Sequence, residues 1–86
     1  MNTSYDSTKN EKNIAKHGIS FELIHKIDWS ADVTFIDERF DYGEQRYITV
    51  APIDKRIHVL GWTKRDCVVR PISLRKANKR EVRFYY

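Results

Sequence analysis

Two breaks of only a few residues, at 52–55 and 64–66, separate three runs of strand-forming residues in this chain. Parallel strands need a crossover of a dozen residues or more, so gaps this short permit only antiparallel hairpins. The first run, 45–50, alternates, with Arg46, Ile48 and Val50 on one face; the second covers 56–62 and the third 67–73. A shorter run at 33–36 precedes them across a charged turn region at 38–43. These spacings predict a four-stranded antiparallel sheet.

Upstream of residue 33 the period is helical. Asp6 and Ser7 are good N-cap residues and Gly18 a good residue to end a helix, with the mostly polar stretch 8–17 between them. This helix is expected on the surface, with Ile14 as its main apolar contact. Ser20 caps a second expected helix over 21–28, where Phe21, Ile24 and Ile27 share one face. After the sheet, Asn78 and Glu81 form a capping-box pattern, which starts a last helix at about residue 79 and leaves Arg75 and Lys76 on the connection. A weak extra strand at 2–5 completes the reading: an α+β domain with two N-terminal helices, a four-stranded antiparallel sheet and a C-terminal helix.

Eighty-six residues make one domain, 1–86, with one modest core. No apolar run approaches the roughly 20 residues that span a membrane, and the polar first eleven residues do not resemble a secretory signal. The single cysteine, Cys67, cannot form an internal disulfide, which fits a reducing cytoplasm; its apolar neighbours suggest a buried strand position. Charge is unevenly spread. From Lys64 to the end there are eight cations against two acids, an excess of six, while the whole chain carries +4. Cations that dense point to phosphate, and so to RNA or DNA.

The cation set Arg46, Arg56, Lys64, Arg65, Arg70, Arg75 and Lys76 is the first candidate site, because arginine forks bind phosphate bidentately and stabilise charge on a phosphorane. The plainer alternative is a solvated basic face. His17, His58, Glu44, Tyr85 and Tyr86 are candidate acids or bases. His17 has a competing role at a helix C-terminus, His58 sits among strand residues as a structural group, and Glu44 is placed to pair with and orient Arg46. Trp62, Tyr47 and the terminal aromatics, Tyr85 among them, could stack on unpaired bases, although most should be core. Three scattered histidines and one cysteine lack metal-ligand spacing, and the three isolated glycines make no phosphate loop. Neither a metal nor a cofactor is expected.

Three segments resemble one known family. Asn13-Ile14-Ala15-Lys16-His17-Gly18-Ile19-Ser20-Phe21-Glu22 resembles the N-x-x-K-H-G-[VI]-S-F-E signature of BrnT toxins. Gly43-Glu44-Gln45-Arg46-Tyr47 resembles that family's G-E-x-R-[FY], and residues 70–81 its R-x-I-S-A-R-K-A-[TN]-x-x-E. The matches run in order over nearly the whole chain. Pro71, Leu74 and Ala51 depart from the pattern; a proline at 71 predicts a strand end that is at an edge or irregular.

The resemblance implies a RelE-like fold and the toxin half of a bacterial type II toxin–antitoxin pair, cytoplasmic and without cofactor, which arrests growth by cleaving RNA. The implied partner is a BrnA-like antitoxin in a hetero-oligomer that reaches operator DNA only through the antitoxin. On this reading Arg46, Arg70, Arg75, His17 and Glu44 are catalytic, and Lys64, Arg65, Lys76, Trp62 and Tyr85 bind RNA. Two other readings stay open: a non-catalytic basic module that docks the antitoxin for operon regulation, and a direct DNA binder, for which no helix-turn-helix signature is visible.

Overall fold

The computed structural model describes residues 3–39, 41 and 43–86. In chain order they form α1 (Ser7–His17), a 3-10 helix (Phe21–Lys26), β1 (Val33–Ile36), β2 (Arg46–Ile53), β3 (Arg56–Arg65), β4 (Val68–Lys76) and α2 (Lys79–Tyr85). The sheet is antiparallel throughout, in the order β1-β2-β3-β4. It separates two apolar clusters. On one face α1 and the 3-10 helix cover Leu60, Val69 and Leu74 with Ile19, Phe21 and Ile24. On the other, Val82 and Tyr85 of α2 pack on Val50, Ile57, Val59 and Ala77.

The caps form as expected. Asp6 Oδ1 accepts the Lys9 N–H at 2.7 Å, and the Gly18 N–H, at φ 73°, bonds Ile14 O. Asn78 and Glu81 close a reciprocal capping box on α2.

Several expectations need correction. The second helix is a single 3-10 stretch ending at Lys26, because Ile27 turns extended and bridges Ile53 of β2. Ile14 is 42% exposed, and α1 buries Asn13 instead. Asn13 Nδ2 donates to Leu74 O and Ile19 O, both at 2.9 Å, and its Oδ1 accepts the Leu74 N–H at 3.0 Å. A polar side chain that satisfies three buried backbone groups anchors as firmly as an apolar one. Cys67 is exposed, not buried in a strand: with Asp66 it forms a two-residue hairpin turn, both at positive φ (62° and 51°). Such turns match the twist of the flanking strands, so Lys64 and Arg65 belong to β3 and β4 begins at Val68. Pro52 and Ile53 likewise belong to β2. Pro52 lies past the end of β1, where β2 needs no donor toward that neighbour. Arg75 and Lys76 are strand residues, not connection. The extra strand at 2–5 reduces to a bridge from Thr3 to Val69; Asn2 lies outside the described residues.

Pro71 stands at an irregularity, as its chemistry predicts. Opposite the Gly61–Trp62 step of β3, Gly61 pairs with Ser73 and Trp62 with Pro71, so Ile72 is an extra residue in edge strand β4. Alternation shifts by one across this bulge. Val69 faces the α1 side before it and Leu74 after it, five residues apart.

Candidate active site

The bulge sets which side chains share a face. Arg70 and Arg75 are an odd number of positions apart along the chain and would point to opposite faces of a regular strand. With Ile72 inserted, the register row Arg46–Thr63–Arg70 and the row Val50–Val59–Arg75 lie on the same side, the side that α2 only partly covers. Its open end is a cleft of about 620 Å³. Ile48, Gly61 and Ser73 form the floor; Lys16 and His17 of α1 reach it past the β4 edge; Arg46, Arg75, Arg39 and Arg80 bring further cations. A Cβ at Gly61 would meet Ser73 Oγ at 3.1 Å, so glycine there keeps the floor low.

His17 sits at this edge because the Asn13–Leu74 bonds fix α1 against β4 one turn earlier. Partial burial, then the charges of Lys16 and Arg75, lower its pKa below the ordinary 6.5. At neutral pH it is therefore an uncharged imidazole able to accept a proton. Arg75 is held in a bidentate fork: Nη1 donates to Glu81 Oε1 and Nη2 to Glu81 Oε2, both at 2.7 Å. Glu81 Oε1 also accepts the Asn78 N–H at 2.9 Å, so the capping residue of α2 is at the same time the partner of the cleft arginine. The Arg75 bonds hold the Glu81 carboxyl below its usual range.

Glu44 pairs with two arginines. Its Oε2 accepts from Arg65 Nη2 at 3.0 Å, and its Oε1 lies 3.9 Å from Arg46 Nε. The stronger bond goes to Arg65, which lowers the Glu44 pKa most. Asp37, a buried carboxylate missed in the sequence, also lines the cleft and holds Arg39 in a fork, from Nε at 2.8 Å and Nη2 at 2.9 Å. Its signal was the D-x-R spacing just after β1, which runs from the strand end into the charged segment read as turn.

The expected residues therefore divide. His17, Arg46 and Arg75 line one cleft, with Glu44 beside Arg46. Arg70 shares their face one row away but does not line the cleft. Lys64 and Lys76 pair with Val69 and His58 in rows that face the α1 side, so the sheet separates them from the cleft. Arg65 is engaged with Glu44. Trp62 borders the cleft but is buried, its ring stacked on Tyr47 at 4.6 Å, edge-on to Trp29 at 6.2 Å, and its Nε1–H bonded to Thr49 Oγ1. It has no face left for a base. Tyr85, half-buried, ends α2, and its hydroxyl donates to Ala31 O. His58 is the structural group expected: its Nδ1–H donates to Arg56 O at 2.8 Å.

Among the described residues, no three His, Cys, Asp or Glu side chains converge as a metal-binding group, and no helix is long and apolar enough to cross a membrane. No curated protein matches the chain. A family described as "Ribonuclease toxin, BrnT, of type II toxin-antitoxin system" matches residues 5–81. The neutral histidine beside a cationic cleft is consistent with that description, and the three signature segments all fall within the match. The chain belongs to the BrnT family, ribonuclease toxins of type II toxin–antitoxin systems.

Proposed function

We propose that this chain is a metal-independent endoribonuclease that arrests growth until a BrnA-like antitoxin neutralises it. The observation that carries the reading is His17, neutral at physiological pH, in the same cleft as Arg46 and Arg75. RNA supplies its own nucleophile. His17 takes the proton from the 2′-hydroxyl, the 2′-oxygen attacks the adjacent phosphorus in line, and the P–O5′ bond breaks, leaving a 2′,3′-cyclic phosphate. The departing 5′-oxygen takes a proton from Lys16 or water. Arg46 and Arg75 offset the charge that builds on the phosphorane. Glu44 keeps Arg46 in place, and Arg70, one row along the same face, holds a flanking phosphate. Binding of a polyanion to so many cations weakens steeply with salt. A cytoplasmic setting, a hetero-oligomer with the antitoxin, operator contact through that antitoxin, and a place among RelE-type folds belong to the same proposal; the four-stranded antiparallel sheet supports the last.

The test is incubation of antitoxin-free protein with end-labelled RNA in EDTA, beside His17→Ala, Arg46→Ala and Arg70→Ala. Cleavage with cyclic phosphate ends, lost in the first two and weakened in the third, is the expected result. A second reading, a non-catalytic module that docks an acidic antitoxin segment, draws on the Arg75–Glu81 fork, which already occupies one cleft cation. Failure of the folded wild type to cut free RNA or RNA on translating ribosomes, with antitoxin binding intact, would establish that reading instead.

A further inference from the structure

We infer that Phe35 and Phe84 form a stacking platform for one unpaired nucleobase next to the scissile phosphate. This rests on the ribonuclease reading and adds to it where a base is held. The two rings come from distant parts of the chain, β1 and α2, and both line the cleft. They stay 43% and 64% exposed, unusual for phenylalanine. Their centroids are 6.3 Å apart and their planes at 79°, an edge-to-face pair. In that geometry the edge-on ring keeps both of its faces clear of its partner.

The surroundings select a nucleotide. Phe35 lies in the cross-strand row Ile48–Gly61–Ser73, the low floor of the cleft, and Phe84 lies on the helix that carries Arg80 and Glu81. The cleft acids Asp37 and Glu81 are both engaged in arginine forks, so the lining beyond the rings is positive. A nucleotide combines a flat apolar face with an anion; a phenylalanine face and an adjacent cation meet both. Stacking on phenylalanine involves no base-edge hydrogen bonds, so the platform positions RNA without strong sequence choice. Trp62 is buried and Tyr47, half-buried, already stacks on it, whereas Phe35 and Phe84 are exposed.

The test combines protein and RNA changes. A single-stranded RNA and its non-cleavable 2′-deoxy form are measured for cleavage and for binding with wild type, Phe84→Ala, Phe35→Ala and Phe84→Tyr. A set of substrates carrying one abasic residue at each position around the cut completes the cycle. Loss of binding by roughly ten- to a hundredfold in each alanine variant, recovery in Phe84→Tyr, and an abasic penalty at one position that disappears in Phe84→Ala would support the platform. Unchanged binding and cleavage in Phe84→Ala, while the wild type cuts, would overturn it and leave the ribonuclease intact. Loss of antitoxin binding with RNA binding unchanged would also overturn it, by assigning the rings to a protein partner. A wild type that neither binds nor cuts RNA would remove the ribonuclease reading itself.

Discussion

Asn13 decides where His17 sits. It occupies an apolar element's usual role by replacing a missing strand: its amide donates to Leu74 O and accepts the Leu74 N–H, as a neighbouring backbone would. Replacing it with alanine leaves three buried backbone groups without their partner, and we expect a loss of about 2–4 kcal/mol, read from urea unfolding. A loss under about 0.5 kcal/mol would mean that α1 is held by something else. One turn on, His17 titrates under the influence of Arg75. If His17 is the base, activity falls on acidification through a pKa below 6.5. Arg75→Gln removes a charge that lowers this pKa, so the acid limb should move to higher pH while kcat falls by about 10²–10³. An unmoved limb would separate the titrating base from His17. Of these residues the sequence made His17, Arg46 and Arg75 legible through their charge and their place in family-like motifs. Asn13 was hidden: an asparagine inside a polar helix looks solvated, and only the tertiary contact with β4 makes it a core residue.

At the scale of elements, spacing carried the helices and hairpins but not their phase. The caps Asp6, Gly18 and Asn78 mark ends by local chemistry, so the sequence located α1 and α2 well. The hairpin turn expected at 64–66 is the two residues Asp66–Cys67; its bounds were missed because Cys67 is not the glycine or asparagine that positive φ favours. The bulge at Ile72 was equally invisible apart from Pro71, yet it decides which face each later residue of β4 presents. Deleting Ile72 would remove the extra residue and leave a regular ladder, with Leu74 still on the α1 side and Arg75 still on the cleft side. We expect that deletion to keep a cooperative thermal transition, and Ile72→Ala, at a half-buried position, to cost about 1 kcal/mol. Loss of the transition on deletion would show that β4 needs the bulge for more than the faces it assigns.

For the molecule as a whole, acid acts in one direction. The pKa values of His17 and His58 are lowered on folding, both chiefly by burial, so the unfolded chain binds their protons first. Their contribution is complete above about 6.5 and declines as pH falls through the folded values. Glu81 and Glu44, lowered by their arginines, contribute above about 4.5 and lose that contribution as pH falls through their folded values. The midpoint of urea unfolding should therefore drop in two stages between pH 7 and pH 3; a midpoint that rises on acidification would contradict these environments. Net charge was legible as a basic C-terminal third, but its division between two sheet faces was not, since that depends on register.

The sheet itself has two unlike borders. β4 is closed by the Thr3 bridge and by the side chain of Asn13, whereas β1, with Val33, Phe35 and Ile36 exposed, is the terminal strand at the other border. A chain that can accept a strand on one side only cannot template its own propagation. Pairing β1 to β1 would close after a single event and leave two capped borders outward. The side-chain amide that seats the histidine is thus also a stopper against fibril growth.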